Sequence, residues 1–317
     1  MSVLTKELYV EISPKVREYS VPFKAFFVSR AGLFLLIYLT LVFFPVQSGH
    51  KYWHAFPGNR FLDGWARFDS GWYARIARFG YKNIPTRNGQ DTNFFPMDPL
   101  LIRRLTKVVG NVFLSGIIIS NTCFLLALMG LFRLVRERNG YDLARRAVYL
   151  LAFNPFSFFF SAVYAEALFL FFLVFAFLFC EQGRYLLAGL FSAGAGVTRN
   201  LGIFALIGLG LVPLRQSGYR WKRLSPRALW LLVGLAGPLA YMIFLAVRFE
   251  DPFLFIHAQR AWGAFNPGKI LDYVFRTFRY GAVRLWGYPV LFLFHLLLGL
   301  DVVRVRRGTA SCPCKHG

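Results

Sequence analysis

At 317 residues the chain is 56% hydrophobic and 19% aromatic, with a mean hydropathy of +0.48, well above the apolar share of roughly 45–50% typical of soluble domains. That excludes an ordinary soluble protein and indicates an integral membrane protein. The formal net charge of +22 sits on basic residues scattered between apolar runs, so the expected partners are the membrane and its lipid phosphates, and nucleic acid is not expected.

A membrane helix needs about 20 apolar residues, and on that measure the chain offers about eight spans. They are Val28–Val46, Val112–Val135, Ala147–Tyr164, Ala167–Cys180, Tyr185–Thr198, Leu201–Leu214, Ala228–Val247 and Leu285–Leu300. The fold class that follows is an all-α polytopic membrane protein forming one membrane domain over residues 1–317. Residues 1–27 read as a cytoplasmic arm, since the first apolar run begins late and lacks the small-residue cleavage site of a signal peptide. Residues 48–108 form a long first extracytoplasmic loop, 250–284 a later one, and 301–317 a cytoplasmic tail.

Within the first loop, "ARFDSGWYARIARFGY" (Ala66 to Tyr81) places one acid, Asp69, among arginines and aromatics. Trp72, Ile76 and Phe79 recur at helical spacing and Gly80 is placed to end the helix, which predicts an amphipathic interfacial helix over 69–79. Asp69 stands at its N-terminus. There it reads as the N-cap, which Asp fills well, as an acid held at the membrane surface to serve as a general base, or as both. "NFFPMDPLLIRRL" (Asn93 to Leu105) predicts a second helix start, with Asp98 as cap and Pro99 at the first helical position. Arg103, Arg104 and Lys107 follow on a face able to reach lipid phosphates.

Further on, Glu166 is the one charge in the apolar stretch Ala147–Cys180. An ionisable residue in such surroundings reads as functional, because leaving it in hydrocarbon costs at least about 2.5 kcal/mol. Arg199, in "GVTRNLG", also falls at a turn between apolar runs, where pairing with Glu166 is the plain structural alternative. "EDPFLFIHAQRAWGAFNP" (Glu250 to Pro267) contributes His257, Gln259, Arg260 and Trp262. The cysteines form no disulfide framework, no cluster of metal ligands stands out, and no cofactor is expected.

Orientation follows from the basic short loops Arg133–Arg146 and Arg215–Arg227, which belong in the cytoplasm. Asp69, Glu166, Arg199 and the segment after Glu250 then all face outward. Acids, arginines, a histidine and aromatics on one surface suit a substrate with an anionic phosphate, a polyhydroxyl group and a hydrocarbon tail.

Five stretches carry a resemblance: "RFDSGWYARIARFGY", "NFFPMDPLLIR", "NPFSFFFSAVYAEALFLF", "LAGLFSAGAGVTRN" and "DPFLFIHAQRAWG". They resemble, in order and spacing, the family of the GPI second-mannose transferase (PIG-V) and its prokaryotic relatives, integral-membrane glycosyltransferases of the GT-C fold. The resemblance runs from Ser29 to about Trp262. It implies transfer of a sugar, usually mannose, from a polyprenyl-phosphate donor to a lipid or glycan acceptor, with inversion, on the outer face of a prokaryotic plasma membrane. Asp69 matches the acid of the family's first loop, and Glu166 and Arg199 match polar positions of its pattern. The sequence departs from the pattern at Phe68, usually Trp, at Asp98, where an aromatic is expected, and at Asn200, usually Pro or Ser. Relatives also continue with further spans and a polar "PRY"-like stretch, so the tail after Leu300 reads like a truncation or frameshift product.

On this reading Asp69 is the general base. Arg199, Arg260 or His257 stabilises the leaving phosphate, Glu166 orients a cation or binds sugar hydroxyls, and Trp72, Arg75 and Gln259 complete the substrate-binding set. A transporter or flippase for lipid-linked sugars, or an inactive partner subunit, is the alternative. A transporter would carry charges at the bilayer midplane and paired repeats, whereas these charges gather at span ends.

Overall fold

The computed structural model describes residues 14–43, 55–56, 58–82 and 90–258, and those residues are helical, with no strand among them. The chain divides into two compact units, Met1–Trp262 and Gly263–Gly317; every described residue belongs to the first. The last expected span, the tail, and the expected site residues Gln259 and Arg260 lie outside the described residues.

The long helices are α1 (Pro14–Phe43) and α5 (Val112–Asn139). Between them lie α2 (Arg60–Asp63), α3 (Ser70–Phe79) and α4 (Met97–Val109). The remaining helices are α6 (Tyr141–Ala152), α7 (Glu166–Glu181), α8 (Tyr185–Thr198), α9 (Ala205–Gln216), α10 (Ala236–Phe249) and the short α11 (Leu254–His257). Among the described residues, three stretches are long and apolar enough to cross a membrane: Ser20–Phe43, Val112–Asn139 and Pro226–Phe249. Tyr185–Thr198 and Asn200–Gln216 are shorter apolar helices. Exposed apolar side chains such as Phe27, Leu35, Leu36, Val42, Ile243 and Val247 give these helices the surface that hydrocarbon covers.

α1 begins at Pro14, ahead of the first expected span, and Val21, Ala25 and Phe26 are buried in one core with Phe124 and Phe132 of α5 and Val148 of α6. One expectation is corrected: the run Ala147–Tyr164 is not one continuous helix. It stops at Ala152 because Pro155 supplies no N–H and disfavours helix at the residue before it. The Asn154 side chain then caps the tight turn Pro155–Phe160 by accepting from Phe156 N at 2.8 Å.

α7 packs along both α5 and α8, and α8 packs on the helical segment Pro226–Leu235 and on α10. The α8–α10 approach is close because it is lined by small residues: a Cβ added at Gly237 would stand 2.0 Å from the Ala193 carbonyl oxygen.

Candidate active site

α7 and α8 form an antiparallel hairpin turned at Gly183, whose positive φ of 71° suits glycine. The two helices have 16 and 14 residues, so the first residue of α7 and the residue just past α8 meet at the same end. Those residues are Glu166 and Arg199, and they form an ion pair. Each also suits its helix terminus, an acid at the N-terminal end of α7 and a cation at the C-terminal end of α8. Glu166 Oε1 takes the Arg199 bond, while its Oε2 is buried without a partner among the described residues. Burial works against the Arg199 charge, but the Glu166 carboxylate outweighs it and the guanidinium pKa is raised.

Asp69 precedes α3 in the cap position, yet its side chain makes no capping bond and its backbone is already helical. The cap account of Asp69 therefore fails. Its carboxylate has no hydrogen-bond partner among the described residues; burial and then the Glu166 charge raise its pKa, with Arg199 pulling the other way. The residue before it, Phe68, is 81% exposed and sits at φ 52°, a left-handed backbone rare for a bulky side chain. The Tyr164 hydroxyl holds this turn. It accepts from Asp69 N at 3.2 Å and donates to Arg67 O at 3.4 Å, and Val163 N donates to Trp65 O at 3.2 Å beside it.

The 157–164 segment is fixed in turn by a residue that the sequence reading passed over. Arg30 of α1 is 4% exposed and uses all its N–H groups. It donates to Ser157 O and Ser161 Oγ at 2.8 Å, Ser157 Oγ at 2.9 Å, Ala152 O at 3.0 Å and Ser29 Oγ at 3.4 Å. Its guanidinium carbon also lies 4.7 Å from the Phe124 ring centroid. From α5, Ser120 Oγ donates to Ala162 O at 2.7 Å, and Ser161 Oγ donates to Asn121 Oδ1 at 2.8 Å.

Asp69, Glu166 and Arg199 line one cavity of about 240 Å³ with Tyr73, Asn93, Phe94, Phe95, Tyr164, Thr198 and Asn200. Burial, then the Glu166 charge, raises the Tyr73 phenol well above its usual range, and burial pushes Tyr164 up to about 12. Trp72 and Arg75 stand aside from this cavity: Trp72 stacks on Phe94 at 5.6 Å and Arg75 lies 5.4 Å over Trp72. His257 stands aside as well; its exposed ring bonds Asp251 through Nδ1 at 2.7 Å. The buried face of α3 is Tyr73, Ala74, Ile76 and Ala77, with Phe79 exposed, one residue round from the expected stripe.

Asp98 is a further correction. α4 begins at Met97 with Pro96 in the cap position, so Asp98 lies inside the first turn. It is 1% exposed with neither carboxyl oxygen partnered among the described residues, and burial, aided by the Glu166 charge, raises its pKa to about 7. The signal was legible as an acid standing where the family has an aromatic. The other helpers, Tyr73, Tyr164, Asn93 and Thr198, carry no local signature that separates them from core residues.

The fold and the cavity define a class, a helical membrane protein that holds a carboxylate and an acid–arginine pair in one polar cavity. The mannosyltransferase (PIG-V) family matches residues 52–227, more than half of the chain. The chain belongs to that family and is a membrane glycosyltransferase of the mannosyl type, using a sugar donor and a glycan acceptor. No curated protein and no solved structure matches it significantly.

Proposed function

We propose that this glycosyltransferase moves mannose from a polyprenyl-phosphate donor to an acceptor hydroxyl, with inversion, at the outer face of a prokaryotic plasma membrane that it crosses several times. The acceptor oxygen attacks the anomeric carbon as Asp69 takes its proton. The bond from that carbon to the phosphate oxygen breaks, and polyprenyl phosphate leaves with the electron pair. The observation that carries this reading is a partner-free Asp69 carboxylate in the same cavity as the Glu166–Arg199 pair. A raised pKa makes Asp69 a stronger base than an ordinary carboxylate. The leaving group already carries charge, so Arg199 serves it better than an acid would, by charge-assisted hydrogen bonds. Glu166 lines the same cavity and orients Arg199 through their ion pair.

The donor is tested with membranes containing the protein, supplied with labelled mannose on polyprenyl phosphate or on a nucleoside diphosphate. Transfer from the polyprenyl carrier alone is expected. Equal transfer from the nucleotide sugar contradicts the donor assignment.

A further inference from the structure

A second, larger cavity of about 600 Å³ lies between α3, α4, α8 and α10. Its size falls within the roughly 300–1,000 Å³ of small-molecule sites. Its walls are apolar, chiefly Ile76, Phe79, Pro99, Leu100, Val197 and Phe244, and no acid is among its lining residues. Two arginines complete the lining, Arg103 of α4 and Arg248 in the last turn of α10. Both are exposed, and neither pairs with an acid among the described residues; Arg248 has only the Phe249 ring, 5.9 Å from its guanidinium carbon. This groove shares no lining residue with the cavity of Asp69 and Arg199.

We propose that this groove is a binding site for an anionic membrane phospholipid, separate from the catalytic cavity. One acyl chain lies against the apolar walls and the phosphate is held by Arg103 and Arg248. Charge complementarity selects this occupant. Two unpaired guanidiniums beside an apolar groove match a phosphate joined to a hydrocarbon chain, and a neutral chain would leave both unanswered. Donor lipid is a poor fit here, because its phosphate must sit at the reacting carbon beside Asp69, and neither arginine lines that cavity. The structural consequence is a lipid that braces α4 against α10 next to the catalytic cavity.

The test uses the full chain purified in neutral detergent and titrated with phosphatidylglycerol, with thermal unfolding as readout. A saturable rise in Tm is expected with phosphatidylglycerol and not with phosphatidylcholine. Arg103→Gln/Arg248→Gln changes two exposed side chains, so its lipid-free Tm should match wild type. Its affinity for phosphatidylglycerol should fall roughly 30-fold. Equal stabilisation by phosphatidylcholine, or unchanged affinity in the double variant, contradicts the site. Displacement of the bound phosphatidylglycerol by equimolar polyprenyl phosphate would overturn it too, by giving the groove to the donor.

Discussion

Asp69 and Asp98 both open helices in the sequence, where Asp98 reads as a cap and Asp69 as a cap, a general base or both. Neither caps: Asp69 keeps an unengaged carboxylate in the cavity, and Asp98 is sealed behind it with two orphaned oxygens. The difference is tertiary. It depends on which helix covers each residue, and local spacing carries no information on that. Asp98 lies outside the spanning stretches and faces Glu166, Tyr73 and Cys123, and its pKa near 7 has a defined sign. A folded value above the ordinary 3.8 means the native state binds more protons than the unfolded chain between about pH 4 and 7, so stability falls as pH rises through that window. Asp98→Asn should therefore flatten the pH dependence of thermal unfolding in detergent and raise Tm at pH 8, since a neutral amide is cheaper to bury than an unpaired carboxylate. An unchanged slope would show that Asp98 does not titrate there. At the ion pair, Arg199→Lys keeps the charge and loses the planar fork, so it should fold yet transfer poorly. Arg199→Ala/Glu166→Gln removes both charges. Recovery of stability without transfer is expected, whereas recovery of both would mean the pair is purely structural.

At the scale of elements, the sequence was legible where apolar length decides the matter. Tyr185–Thr198 matches its expected ends, and the helix expected over Val112–Val135 starts at Val112 and runs on to Asn139. The run Ala147–Tyr164 misled because its composition is uniformly apolar while Pro155 and the serines at 157 and 161 serve a turn. That turn exists to receive Arg30, and no periodicity in α1 announces it. Replacing Arg30 with Leu would remove its bonds to two carbonyls and two hydroxyls of the 152–161 region, at roughly 1–3 kcal/mol for each buried group left unsatisfied. The expected outcome is a loss of at least several degrees in Tm together with lost transfer, because Tyr164 and Glu166 follow directly in the chain. Gly237→Ala tests the α8–α10 contact. Its new methyl meets backbone at Ala193, not a movable side chain, so a destabilisation of about 1–3 kcal/mol is expected. Wild-type stability in that variant would mean the two helices are not held this closely.

For the whole molecule, the family and the acidic character of the site were readable from motifs, since "RFDSGWYARIARFGY" and "SAVYAEALFLF" each carry a charge that an apolar chain has no other reason to keep. What binds them into one cavity was not readable, because it depends on the α7–α8 hairpin and the Tyr164 clamp across distant residues. The proposed outward-facing site rests on the basic short loops, and labelling tests it. Cysteines introduced at the exposed positions Lys82 and Asn139 should respond oppositely to an impermeant thiol reagent on intact cells, with Lys82→Cys labelled and Asn139→Cys protected. The reverse pattern would move the site to the cytoplasmic face. The central claim is that Asp69 is the base, and it is met most directly by measuring mannose transfer from labelled polyprenyl-phosphate mannose in membranes carrying wild type or Asp69→Asn. Asp69 makes no side-chain bond that Asn would break, so expression and Tm should be unchanged while transfer falls about 10²–10⁴-fold; near-normal turnover by the Asn variant would contradict the account.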